Sequence, residues 1–130
     1  MTDLELFKLA RAARENAYAE YSGFKVGAAL LDTDGKVFTG CNVENASYGL
    51  TMCAERVAVG KAVADGSRRF AKILITGGGE IITPCGACRQ VLSEFASDLE
   101  VVLASESGEM MRYSLEELLP RSFVLQRRED

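Results

Sequence analysis

Three of the four cysteines in this 130-residue chain stand where a metal ion could use them. Cys85-Gly86-Ala87-Cys88 is a C-x-x-C, a spacing that zinc sites share with redox motifs. Cys53 supplies a third thiol, and both segments read as helix starts. A helix N-terminus carries partial positive charge and unpaired N–H groups, so it stabilises thiolates. Two such ends brought together would hold three thiolates around one Zn²⁺. That donor set leaves the fourth tetrahedral position for water, as in catalytic rather than structural zinc sites. A closed site would need Cys41, which ends a predicted strand ahead of a long loop. We expect Cys41 to be a buried thiol without a catalytic role.

Zinc lowers the pKa of its bound water to near neutrality, and a carboxylate beside it can carry protons. Glu55, two residues after Cys53, is the candidate. Positions i and i+2 lie about 200° apart around a regular helix. Cys53 and Glu55 therefore serve one centre only if the metal lies off the helix end, with Cys53 outside the regular turns. The plainer role for Glu55 is a first-turn acid that favours the helix dipole. Three thiolates leave one surplus negative charge on the zinc. Arg56, and after it Arg89, is expected to hydrogen-bond a thiolate sulfur and withdraw charge. The plainer role for either arginine is a surface ion pair.

Composition narrows the field further. The chain contains no histidine, which removes His–Ser and His–Cys pairs, histidine bases and imidazole metal ligands. A net charge of −4 and a pI near 5.0 argue against a nucleic-acid-binding surface, which needs clustered Lys and Arg. With 48% hydrophobic and 26% charged residues, the chain reads as one folded, water-soluble domain over 1–130. No apolar run approaches the roughly 20 residues that span a bilayer. The start, Met1-Thr2-Asp3-Leu4-Glu5, lacks the basic opening of a signal peptide. A cytoplasmic setting is expected, and there metal ligation or buried thiols outrank disulfides.

The elements that must position these residues follow from the pattern. Thr2-x-x-Glu5 is a capping box, opening a helix with Leu6, Ala10, Ala13 and Ala17 on one face and ending near Tyr18. Residues 24–31 (FKVGAALL) and 36–41 (KVFTGC), around the turn cluster Asp32-Thr33-Asp34-Gly35, read as a β-hairpin. A polar loop follows. A second helix runs from near Cys53 to Gly66 and is apolar over most of its circumference, so it should be buried. Residues 70–76 (FAKILIT) form a strand, and a third helix begins near Pro84 with Val91, Leu92 and Phe95 on its apolar side. Residues 99–104 form another strand, and Ser114-x-x-Glu117 caps a short helix that Pro120 ends. The end, Arg127-Arg128-Glu129-Asp130, should fray. The order α-β-β-α-β-α-β-α predicts an α/β three-layer sandwich: one mixed sheet, with an antiparallel hairpin at its edge and helices on both faces.

The motifs also resemble a known family. Cys53-Ala54-Glu55 with Pro84-Cys85-Gly86-Ala87-Cys88-Arg89-Gln90 resembles the signature of zinc-dependent cytidine deaminases. Tyr21-Ser22-x-Phe24-x-Val26-Gly27-Ala28-Ala29 is similar to that family's first strand. Gly40-Cys41-Asn42-Val43-Glu44-Asn45-Ala46 is similar to its ribose-binding segment, and Leu118-Leu119-Pro120-x-Ser122-Phe123 to its tail. The family often has Pro where this chain has Glu20, a difference in a turn rather than in the chemistry.

The resemblance implies a small homotetramer of pyrimidine salvage that hydrolyses cytidine and 2′-deoxycytidine to the uridines and ammonia. It implies Cys53, Cys85 and Cys88 as ligands of one Zn²⁺ per chain. Zinc-bound hydroxide would attack C4 while Glu55 shuttles protons. It further implies Phe24 stacking on the pyrimidine, Ala54 at the base, and Asn42 and Glu44 on the ribose. Phe123 would reach the base from a neighbouring subunit, and Tyr48 would contact a neighbour's site. From the residues alone, Phe24 on an alternating strand reads first as core, and Asn42 as a turn residue that satisfies its own backbone.

Two other functions compete. A blasticidin-S-type deaminase is similar at the zinc segments but should lack Phe24 and the Asn42–Glu44 pair. A non-catalytic, zinc-stabilised binding module would close its site with Cys41.

Overall fold

The computed structural model describes residues 1–127, so most of the charged end expected to fray lies outside the described residues. Helix α1 (Asp3–Arg14) begins where Thr2 Oγ1 accepts the Glu5 N–H at 3.1 Å. It ends earlier than its periodicity suggests, and the cause is tertiary. The Tyr18 N–H donates to Asn42 O at 3.0 Å and Tyr18 O accepts from Glu44 N at 2.8 Å, which draws the chain off the helix axis to bridge Val43.

Strands β1 (Val26–Asp32) and β2 (Val37–Cys41) form the expected hairpin. Asp32 builds its turn: Oδ1 accepts the Asp34 and Lys36 N–H groups at 2.9 and 2.8 Å, and Gly35 takes φ +90°. A 3₁₀ turn (Tyr48–Leu50) precedes α2 (Ala54–Ala64). Then come β3 (Phe70–Gly77), α3 (Gly86–Ser93), β4 (Glu100–Ala104), β5 (Met110–Ser114) and α4 (Leu115–Leu118). In the Ser114 capping box the Ser114 N–H donates to Glu117 Oε1 at 2.8 Å.

Two expectations need correction. Residues 110–114 are a strand, although nothing in Met-Met-Arg-Tyr-Ser alternates cleanly. They form a half-exposed edge strand, held by antiparallel pairing to β4 rather than by a buried face. Pro84 also lies ahead of α3 rather than in its first turn, because Cys85 is the N-cap.

The sheet runs β2-β1-β3-β4-β5, with β3 and β4 parallel and the other pairs antiparallel. Alternation along the strands sorts the core into two layers. Ala28, Leu30, Ile73, Ile75, Val101 and Leu103 pack with Ala58, Ala62, Leu92 and Leu115 on the side of α2, α3 and α4. Ala29, Leu74, Val102 and Ala104 meet Leu6, Phe7 and Ala10 of α1 on the other. The result is the expected mixed sheet with helices on both faces.

Gly40 brings α2 close to the sheet. A Cβ there would collide with Ala54 O and come within 2.6 Å of Ala58 N. Backbone rests on backbone, which fixes where the start of α2 can lie.

Candidate metal centre and active site

Cys53 is the N-cap of α2, with extended backbone (φ −74°, ψ 156°). It thus stands outside the regular turns, the condition under which it and Glu55 can face one point. Cys85 is the N-cap of α3, also extended, and Cys88 is the third residue of that helix. The Cys88 N–H donates to Cys85 Sγ at 3.5 Å. The three sulfurs lie within 4.8 Å of one another, with Cys53–Cys85 at 3.8 Å and Cys85–Cys88 at 3.4 Å. Three thiolates on a tetrahedral zinc with bonds of about 2.3 Å are themselves about 3.8 Å apart. Donor type, count and spacing therefore fit Zn²⁺. Cys41 sits half-buried on β2, opposite Gly27, and is not among the clustered sulfurs.

The thiols hold their charge unequally. Hydrogen bonding from Cys88 pulls the Cys53 thiol down to about 5; burial opposes this, and Arg56 and Cys85 assist it. The same bond to Cys53, with burial, pushes Cys88 up. A bound divalent cation displaces such protons outright.

Glu55, in the first turn of α2, is 4% exposed. Burial pushes its carboxyl above the usual range, and the Cys53 charge adds to the push. Arg56 Nη2 donates to Thr51 O at 3.1 Å and lies 3.7 Å from Cys53 Sγ. That contact with Cys53 raises the Arg56 pKa, so the cation is firmly held beside the sulfur. Arg89 is engaged elsewhere, donating to Pro84 O at 2.8 Å and Leu118 O at 2.6 Å. It ties the start of α3 to the end of α4 rather than reaching a thiolate.

Cys53, Cys85, Ala54 and Glu55 open onto a cavity of about 670 Å³ whose wall also includes Phe24, Asn42 and Glu44. Phe24 precedes β1 and is half-exposed, so it is not core. Asn42 locks it in place: Nδ2 donates to Phe24 O at 2.8 Å while Oδ1 accepts Val26 N at 2.8 Å. Glu44 Oε1 accepts the Tyr21 and Ser22 N–H groups at 2.9 and 3.0 Å, and Oε2 accepts the Ser22 hydroxyl. Those bonds, the Ser22 hydroxyl first, hold the Glu44 carboxyl below the usual range.

Two expected residues stand apart from this wall. Tyr48, in the 3₁₀ turn, is 81% exposed and lines a smaller neighbouring cavity of about 210 Å³ that shares Ser22, Glu44 and Thr51 with the first. Phe123 is 71% exposed, with its carbonyl accepting from Gln90 Nε2 at 3.0 Å.

The sequence reading missed Ser22, Val26, Thr51, Ile81, Ile82 and Thr83 in the wall. Ser22 had a signal, a hydroxyl two residues before Phe24 that accepts the Phe24 N–H at 3.0 Å. The 81–83 segment had none, because it has no regular secondary structure and so no period to read.

Comparison with known proteins agrees with this geometry. A family model described as the cytidine and deoxycytidylate deaminase zinc-binding region matches residues 1–105. A cytidine deaminase of Halalkalibacterium halodurans is 48% identical over 121 residues, covering 92% of each chain. The crystal structure of cytidine deaminase from Burkholderia pseudomallei superposes with a TM-score of 0.92 at 55% identity, covering 95% of this chain and all of that one. A blasticidin-S deaminase of Bacillus cereus is 30% identical over 131 residues, covering 94% of this chain and 92% of its own.

Proposed function

The chain belongs to the cytidine and deoxycytidylate deaminase zinc-binding family, and from that membership we propose which residues carry its reaction. It is a zinc-dependent hydrolase that deaminates cytidine. Cys53, Cys85 and Cys88 would hold the zinc. When bound, the metal supplies water activated for attack at neutral pH. Arg56 donates toward Cys53 Sγ and offsets the surplus thiolate charge.

Glu55 moves the protons. It takes one from the attacking water and gives it to N3 of the base, which makes C4 electrophilic. Once the water oxygen has bonded to C4, Glu55 takes the remaining proton from the new C4 hydroxyl and delivers it to the exocyclic amine, so that the C4–N bond breaks, C4 becomes a carbonyl and ammonia leaves. The result is uridine or 2′-deoxyuridine. Burial suits Glu55 to this exchange because it narrows the gap between its charged and neutral forms. Phe24 stacks on the pyrimidine, and Ala54 borders the base. Glu44 accepts from a ribose hydroxyl through Oε2, which keeps a lone pair beyond the Ser22 hydroxyl bond, while Oε1 is filled by the Tyr21 and Ser22 N–H groups. Asn42 keeps one N–H and one lone pair and also orients Phe24.

The observation that carries this reading is the shared cavity, lined by Glu55, Cys53, Cys85, Phe24 and Glu44 together. The same wall favours nucleosides over nucleotides. Among the described residues it includes Glu44 and Glu55 but no Lys or Arg, which offers a 5′-phosphate no counter-charge there. Phe24, Asn42 and Glu44 likewise favour a nucleoside over blasticidin S.

Tyr48 and Phe123, exposed and outside this chain's cavity, fit a homotetramer in which they reach neighbouring sites. Four free thiols suit a reducing cytoplasm, and pyrimidine salvage is the role of such a reaction there. No helix among the described residues is long and apolar enough to cross a membrane.

The test is ultraviolet monitoring of zinc-loaded protein with cytidine, deoxycytidylate and blasticidin S, before and after chelation. The expected outcome is rapid loss of cytidine absorbance, little change with the other two, and silence after chelation that added zinc reverses. Turnover of blasticidin S ahead of cytidine would overturn the reading.

A further inference from the structure

The cavity leaves one buried charge unexplained. Arg14, at the end of α1, is 6% exposed, yet it lines no wall of the site. It reaches the sheet because Gly27 has no side chain: a Cβ there would collide with Ala10 O and come within 2.9 Å of Arg14 Cβ. Arg14 Nη1 donates to the carbonyl of Gly77, the last residue of β3. Its Nη2 pairs with Glu106 Oε2 at 2.6 Å, and the Glu106 N–H donates to Gly79 O at 2.9 Å. One ion pair thus grips the 77–79 turn at two carbonyls.

Gly77 is where that grip meets the site. A Cβ on Gly77 would lie 3.2 Å from Phe24 Cζ and 3.3 Å from Ile82 Cδ1, and both residues line the cavity. The Phe24 ring and the Ile82 side chain therefore rest against the bare Cα of Gly77. Stability alone does not call for an arginine here. An apolar side chain of similar volume fills such a place without desolvating a cation.

We propose that Arg14, held by Glu106, is a positioning residue for the aromatic wall: by clamping the Gly77 carbonyl it sets the surface on which Phe24 and Ile82 rest. This rests on Phe24 being the side chain that meets the base. Arg14 touches no substrate; it acts through Gly77 on substrate binding.

The test is steady-state kinetics on cytidine with the zinc-loaded protein, together with equilibrium binding of uridine and zinc analysis. Arg14→Met should raise KM, and the uridine Kd with it, about 10-fold while kcat stays within about 2-fold, the signature of lost uniform binding. Arg14→Lys, which keeps one donor, should recover part of that loss. Gly77→Ala should raise KM about 5-fold by displacing the ring, and it covers the case in which Arg14→Met does not fold. In a Phe24→Ala background, Arg14→Met should add no more than about 2-fold, because coupled residues are not additive.

An unchanged KM in both Arg14→Met and Gly77→Ala, or an undiminished Arg14→Met effect in the Phe24→Ala background, would overturn the proposal and leave the reading of the site intact. Wild-type protein that binds neither cytidine nor uridine would overturn that reading, and the proposal with it.

Discussion

Two carboxylates line one cavity and are built to opposite ends. Glu55 stands at the start of α2, buried, with its affinity for a proton raised first by burial and then by the Cys53 charge. Glu44 stands in the loop after β2 and accepts three hydrogen bonds from Tyr21 and Ser22, which hold it ionised. The chemical group is the same; the surroundings suit one to carry protons and the other to stay a fixed anion. Donors and burial, not residue type, divide the labour.

The comparison breaks most sharply at Glu55. Glu55→Gln should keep zinc and fold but lose about 10²–10⁴-fold in kcat with KM little changed, as read by uridine production and metal analysis. Uridine formation at the wild-type rate would remove the proton-carrying role. Glu44→Gln should do the reverse, raising KM about 10-fold with kcat within a few-fold, because a neutral amide binds the sugar hydroxyl less strongly. A kcat loss as large as that of Glu55→Gln would erase the distinction between the two acids.

Ser22→Ala sharpens the contrast. It removes the bond that lowers Glu44 most, so the carboxyl should titrate at higher pH. The wild-type KM should stay flat as pH falls to the ordinary glutamate range, whereas the variant's KM should begin to rise earlier. The sign for stability is the same: a carboxyl lowered on folding stabilises above its unfolded pKa and loses that contribution as pH falls through its folded value.

The smallest effect lies far from the site, at Asp32. Burial pushes this carboxyl up, but the Ser67 hydroxyl and the Lys36 and Asp34 N–H groups outweigh it and hold it low. Asp32→Asn should flatten the acid side of the unfolding curve without altering KM or kcat at neutral pH. A change in KM would show that the hairpin turn communicates with the cavity.

Much of this was legible from residue types. The helix starts at Cys53 and Cys85, the hairpin around Asp32, and the Ser114 capping box are local patterns, and local hydrogen bonds realise them. What escaped was set by distant partners. The early end of α1 depends on Asn42 and Glu44 capturing Tyr18. Strand β5 depends on β4, and Phe24 falls outside β1 because the Asn42 amide holds its carbonyl. At the site, the proposed zinc ligands, whose three sulfurs the structure brings within 4.8 Å of one another, and the proposed proton carrier Glu55 follow from spacing and charge. The identity of the arginine at the sulfur did not, since Arg56 and Arg89 both flank a ligand, and only the packing of α3 against α4 shows Arg89 occupied elsewhere.

The contact at Gly40, where sheet and α2 meet without side chains between them, is not part of the cavity lining, yet it leaves no room for an added atom at the start of α2. Any added atom there shifts the base of α2, and with it Cys53 and Glu55. The 81–83 wall carries ordinary side chains on irregular backbone. Laboratory evolution toward bulkier nucleobases should therefore accumulate its changes at Ile81, Ile82 and Thr83 and leave position 40 untouched.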